Sequence, residues 1–138
     1  MNRTDLPRIR VVAAVISRDG AYLITQRRPN AVLPLLWEFP GGRVEAHEVD
    51  KEALVRELRH RLDVKVEVGE RIAFESHDYE SYSVELFTYE CRIRAGEPTP
   101  RAVNAFAWVT SAEFDDYAFT PADEASVAKL LGIERKDG

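Results

Sequence analysis

The spacing of hydrophobic and polar positions changes several times along the chain, and each change marks an element. Val11 to Ile16 is a continuous apolar run, short and rich in β-branched residues, the pattern of a strand covered on both faces. Asp19-Gly20 follows as a hairpin turn, because glycine takes positive φ without a Cβ clash, and Tyr22 to Gln26 returns as the partner strand. Arg27 to Pro34 is a loop. Trp37 to Gly42 is a short extended segment ending in a turn that Pro40 and the paired glycines make tight. From about Ala46 to Leu62 the period becomes helical, with Leu54, Leu58 and Leu62 recurring every fourth position and Val55 beside them as a stripe to be buried. Arg56, Glu57, His60 and Arg61 fall on adjoining faces, and Glu45 and Glu48 stand at the helix start, where the macrodipole favours negative charge.

Alternation returns over Val64 to Val68, is interrupted by Gly69 and resumes from Arg71 to Phe74, while Glu75 to Glu80 reads as a polar turn. Tyr82 to Ile93, rich in aromatic and β-branched residues, predicts a long strand, and Ala105 to Val109 a short one carrying Trp108. Between them Ala95 to Asn104, with Gly96, Pro98 and Pro100, is a loop. Thr110 or Ser111 caps a short helix through Phe114. Thr120-Pro121 opens a second helix that runs to about Leu131, with Gly132 placed as its stop. Residues 1–8, polar and containing Pro7, read as a lead-in. This order of elements predicts an α+β class in which a mixed β-sheet lies between helices, an α/β/α sandwich.

Composition adds bounds. A chain of 138 residues with 45% hydrophobic and 31% charged positions is expected to form one domain, 1–138, with one core. A net charge of −5, from 19 basic and 24 acidic residues, argues against general nucleic-acid binding, although a local basic pocket is compatible with it. Cys91 is the only cysteine, so no intramolecular disulfide forms, and its place in an apolar-alternating run suits a small packed residue. The first residues lack the apolar segment of a signal peptide, and no run approaches the roughly 18 apolar residues of a membrane span. The expectation is a soluble, cytoplasmic protein that meets no membrane.

Gly41 to Val64 carries the chemistry. Gly42, Glu48, Arg56, Glu57, Leu58 and Val64 stand at the spacings of G-x5-E-x7-R-E-U-x-E-E-x-G-U, with U a bulky aliphatic, so the stretch resembles the Nudix box. The similarity extends through Val11 to Gln26, Trp37 to Gly42, Trp108 and Phe119 to Leu131, and is to small MutT-type nucleoside triphosphate pyrophosphohydrolases, including their cytidine-nucleotide branch. The resemblance implies a Nudix fold and a nucleoside triphosphate or related diphosphate-containing small molecule as partner. It also implies a helix on which carboxylates gather Mg²⁺ while water attacks phosphorus. It makes Glu57, Arg56 and Glu48 the catalytic set: Glu57 is the base or metal ligand, the other two hold it, and the Gly41 carbonyl is another ligand. Arg27 matches a position that approaches the phosphates. Asp123 matches one that contacts the base, where an ionised carboxylate favours an exocyclic amino group. Apart from the resemblance, Arg56 and Glu48 are solvated helix charges, Arg27 a loop charge, Asp123 a first-turn helix carboxylate, and His47 and His77 surface residues.

The chain departs from the box at its metal-holding end. The glutamate pair is His60-Arg61, the glycine is Asp63, and a further acid of MutT-like relatives falls at Ala102, which Glu97 replaces only if its loop is rearranged. The substitutions at 60 and 61 change the local charge by about three units, each worth roughly 4 kcal/mol at about 4 Å and an effective dielectric near 20. Catalysis is therefore expected to be weak, altered in metal, or absent. Three readings stay open. Glu57 and His60, at i and i+3, hold one Mn²⁺ or Zn²⁺ ion, which imidazole prefers to Mg²⁺. Alternatively, Arg61 pairs directly with phosphate oxygens, so that nucleotide is bound and barely hydrolysed. Or the domain has become a protein-interaction surface. An ordinary i, i+4 pair between Glu57 and Arg61 is compatible with the first two.

Overall fold

The computed structural model describes residues 6–137. In chain order the elements are strands β1 (Arg8–Val15), β2 (Ser17–Arg18), β3 (Ala21–Gln26), β4 (Trp37–Glu38) and β5 (Gly41–Arg43), then helix α1 (Asp50–Leu62). Strands β6 (Lys65–Asp78), β7 (Ser83–Ala95) and β8 (Ala105–Val109), a 3-10 helix (Ser111–Asp116) and helix α2 (Pro121–Asp137) complete it. The apolar run of β1 lies inside a mixed sheet of order β5-β1-β7-β6, parallel to β7 and antiparallel to β5. Because side chains alternate across a strand, Val12 and Ala14 pack with Ala53, Leu54, Leu58 and Leu62 of α1. Ala13 and Val15 join Leu86 and, from α2, Ala122 and Leu130 on the opposite face. The sheet thus lies between helices, as the α+β reading expects. In a second sheet β3 takes β2 and β4 on one edge and β8 on the other, with Leu23 and Ile24 fully buried. No helix among the described residues is long and apolar enough to cross a membrane.

Several expectations are corrected. Asp19 and Gly20 do form the hairpin turn, at φ of 52° and 80°, but the arm before it is only Ser17–Arg18, since the apolar run belongs to the other sheet. Gly41 and Gly42 make no turn. They form β5, with Gly41 opposite Ala13 and Gly42 opposite Val12, and neither is among the described glycines with positive φ. They are small because there is no room: a Cβ would stand 1.9 Å from the Val12 carbonyl oxygen at Gly41 and 2.4 Å from Glu57 Cδ at Gly42. Helix α1 begins at Asp50, four positions later than the pattern suggests, where the Glu52 carboxylate accepts the Val49 N–H at 3.0 Å; Glu45 and Glu48 lie in the loop before it. The helix ends at Asp63, in the left-handed region at φ 56°. Glu75 to Asp78 continue β6 along β7, and the turn closes from Tyr79 N–H to the Tyr82 carbonyl at 2.8 Å. Helix α2 passes through Gly132 without stopping.

Candidate nucleotide site

Arg56 lies on the face of α1 that meets β5 and the loop before the helix, and there it acts as a clamp. Its Nε and Nη2 donate to the two Glu48 oxygens at 2.6 and 2.8 Å, Nη1 donates to Glu57 Oε1 at 2.6 Å, and Nη2 also reaches the Arg43 carbonyl at 2.9 Å. Glu48 in turn accepts the Glu45 N–H at 2.9 Å. The guanidinium, helped by that backbone bond, holds the Glu48 carboxyl down at about 2, and Arg56 itself is raised above its ordinary value by Glu48. These are not solvated helix charges. Glu57 is only 6% exposed, lies against Gly42, and receives Arg61 Nε on its other oxygen at 2.6 Å. The expected i, i+4 pair is therefore present, and Glu57 is held between two guanidinium groups.

Arg61 also lines a cavity of about 380 Å³ with Gly41, Gly42, Arg27, Glu38 and Asp123. Arg27 and Asp123, matched to substrate contact, thus share one cavity with Arg61, the phosphate partner of the second reading. Arg27 is not a free loop charge. Its Nη1 donates to both oxygens of Glu38 at 3.2 and 3.3 Å and its Nε to the Val32 carbonyl at 2.6 Å. The loop it clasps carries Leu33 and Leu35 at positive φ, 55° and 62°, a costly conformation for leucine. Asp123 is buried, accepting the Phe39 N–H at 3.0 Å and the Thr120 hydroxyl at 2.7 Å. Burial, and after it the neighbouring Glu38 charge, pushes its carboxyl up to about 7. Burial thus works against the simply ionised aspartate that the sequence reading assumed, toward a form that can donate as well as accept.

Sequence reasoning missed Glu38 and the tyrosines of the β6–β7 turn. Burial raises the Glu38 pKa, with Arg27 and then Arg61 pulling the other way. The available signal was a carboxylate between Trp37 and Phe39 in an otherwise apolar segment. Tyr79 and Tyr82, stacked with ring centroids 5.0 Å apart, line the cavity too.

Other positions divide clearly. Ala102 donates its N–H to the Arg61 carbonyl at 3.0 Å, so this loop does pass the end of α1 where a further acid was expected. Glu97 is turned elsewhere, paired with Arg18 at 3.0 Å and 79% exposed. His60 and His47 are exposed, whereas His77 packs edge-on against Tyr79 at 4.5 Å. Cys91 is buried, and burial pushes its thiol up to about 12, leaving it unreactive. Mg²⁺ binds through several oxygen ligands. Here both oxygens of Glu57 and of Glu48 are already engaged by guanidinium groups. Among the described residues, no group of three or more His, Cys, Asp or Glu is placed to hold a metal. The donor set does not fit an Mg²⁺ cluster.

The NUDIX domain family profile matches residues 11–129. The CTP pyrophosphohydrolase of Escherichia coli K12 is 36% identical over 115 residues, spanning 83% of this chain and 85% of that protein. A putative 8-oxo-dGTP diphosphatase 2 of Mycobacterium tuberculosis is 36% identical over 127 residues, with 87% and 86% covered. The solution structure of the E. coli ORF135 protein superimposes with a TM-score of 0.80 at 32% identity, over 95% of this chain and 94% of that one. Matched in profile across most of its length, and by relatives that share its extent and its fold, this chain belongs to the Nudix family.

Proposed function

We propose that the cavity binds a nucleoside triphosphate, or a related diphosphate-containing small molecule, and that cleavage of the phosphoanhydride is weak in this chain. The single observation that carries the reading is the convergence of Arg27, Arg61, Glu38 and Asp123 on one cavity floored by Gly41 and Gly42. The relatives named for acting on CTP and 8-oxo-dGTP support the substrate class. In this reading the phosphates lie toward Arg61 and Arg27, where guanidinium forks suit phosphate oxygens. The base lies toward Asp123 and Glu38, and Asp123 selects a ring edge that offers an amino group or, when the acid is protonated, an acceptor.

Family resemblance makes Glu57 the base that takes the proton of an attacking water. Arg56 and Arg61 are each bonded to one of its oxygens at 2.6 Å, so a water must displace a guanidinium to reach it, which supports slow turnover. The same geometry favours the second reading, a nucleotide-binding protein that does not turn its ligand over. Mg²⁺ is the metal implied by family, and Mn²⁺ or Zn²⁺ with His60 the alternative. Neither is needed to account for binding.

A panel of nucleoside triphosphates in EDTA and in Mg²⁺, Mn²⁺ and Zn²⁺, followed for both product release and thermal stabilisation, tests this. Stabilisation with slow or undetectable release is expected. Rapid Mg²⁺-dependent hydrolysis would overturn the weak-catalysis claim, and absence of stabilisation by every nucleotide would overturn the pocket assignment.

A further inference from the structure

We propose that this chain takes its polyphosphate as the uncomplexed anion, with Arg61 supplying the positive charge, so that a divalent cation weakens binding instead of enabling it. The inference rests on the reading of the cavity as a nucleotide pocket and goes beyond it by assigning the ionic form of the ligand.

The charged lining of the cavity consists of Arg27, Arg43 and Arg61 against Glu38 and Asp123, with Glu57 bonded to Arg61 outside it. Both carboxylates are committed within the protein, Glu38 to Arg27 and Asp123 to the Phe39 N–H and the Thr120 hydroxyl. Burial also holds Asp123 toward its neutral form. A cation entering beside Glu57 would meet two guanidinium groups already bonded to it, so repulsion adds to the loss of those bonds.

Arg61 is built to receive an anion. Its bond to Glu57 uses Nε, which leaves the terminal nitrogens for the cavity that the side chain lines. Its main chain is fixed from the other side, since its carbonyl accepts the N–H groups of Arg101 and Ala102 at 3.1 and 3.0 Å. An arginine held at both ends loses little further freedom on pairing with phosphate, and its planar fork suits two phosphate oxygens at once. Alanine at position 102 puts no carboxylate beside it to compete. Mg²⁺ chelated by the ligand would mask the oxygens the guanidinium needs.

Isothermal titration of the full chain with CTP and with inorganic triphosphate, in EDTA and in excess Mg²⁺, decides the matter. CTP should bind in EDTA and lose roughly tenfold in affinity on adding Mg²⁺, equivalent to about 1.4 kcal/mol. Inorganic triphosphate should follow the same order, and rising salt should weaken both. Arg61→Gln should cost about tenfold in EDTA while Arg61→Lys retains part of the affinity, each variant being checked for native thermal unfolding. The wild-type comparison needs no variant and stands even if Arg61→Gln fails to fold. Tighter binding in Mg²⁺ than in EDTA would overturn the proposal and leave the nucleotide pocket intact. Equal affinity of Arg61→Gln and wild type in EDTA would remove Arg61 from the role. No binding under any condition would overturn both this inference and the reading beneath it.

Discussion

Asp123 gives the site a built-in dependence on pH. Its carboxyl is pushed up from the ordinary 3.8 to about 7, chiefly by burial, so the folded state favours the protonated acid. A group raised in this way contributes stability that is complete below its unfolded value and is lost as pH rises through its folded one. Between about pH 4 and pH 7 the melting temperature of the wild type should therefore fall, and Asp123→Asn, which cannot ionise, should flatten that part of the curve. A slope unchanged in the variant would show that Asp123 is not the titrating group. Arg56 and Glu57 were legible through their match to the Nudix box, and the Glu57–Arg61 pair through its i, i+4 spacing; helical periodicity alone left Arg56 a solvated charge. Glu38 was not legible. Its ion-pair partner is Arg27 from the preceding loop and its charge acts on Asp123 of α2, relations that no local pattern records.

At the scale of elements, the paired glycines and the end of α1 make opposite predictions. A methyl at Gly41 would meet the Val12 backbone oxygen at 1.9 Å, and neither strand can yield without breaking the pairing of β5 with β1. Gly41→Ala should thus cost upwards of about 3 kcal/mol in denaturant unfolding. A methyl at Gly42 meets the end of the Glu57 side chain at 2.4 Å, which can move. Gly42→Ala should stay folded, losing about 1 kcal/mol, but should displace Glu57 and be impaired in nucleotide binding or turnover. Asp63 is the converse case: a residue with a Cβ at a left-handed helix end, whose exposed contacts to Arg59 and Arg101 at 3.5 and 3.3 Å offset little. Asp63→Gly should stabilise by roughly 0.5–1 kcal/mol, read from the same unfolding curves. The leucine stripe identified α1 but not its start, because the acidic loop and the acidic first turn have the same polar character and Val49 is not a preferred capping residue. The glycine pair misled for a related reason: glycine serves close approach as readily as turns, and only the partner strand distinguishes the two.

Across the whole molecule, the positions that would carry the box's missing acids are brought together from two segments, with Ala102 bonded to the carbonyl of Arg61. Replacing His60, Arg61 and Ala102 by glutamate should therefore create a metal-responsive site. The triple variant is expected to melt lower than wild type in EDTA, where like charges crowd Glu57, to recover with Mg²⁺, and to gain Mg²⁺-dependent turnover. Unchanged stability and activity with Mg²⁺ would mean that other parts of the site have diverged as well. The sheet order that assembles these segments was not legible, since alternation names strands without naming their neighbours. That order also bears on how the protein reaches its native state. β1 pairs in parallel with β7, Ala13 opposite Thr88, so an interior strand of its sheet waits for a partner more than half the chain away. Loop closure over that distance must precede any reward from the pairing, which places refolding on the slow side for a chain of this size, in the millisecond-to-second range, about that of domains dominated by long-range contacts. During synthesis β1 can pair with β5 but not with β7 until that strand has left the ribosome, and until then the other edge of the apolar run from Val11 to Ile16 is open to the wrong partner.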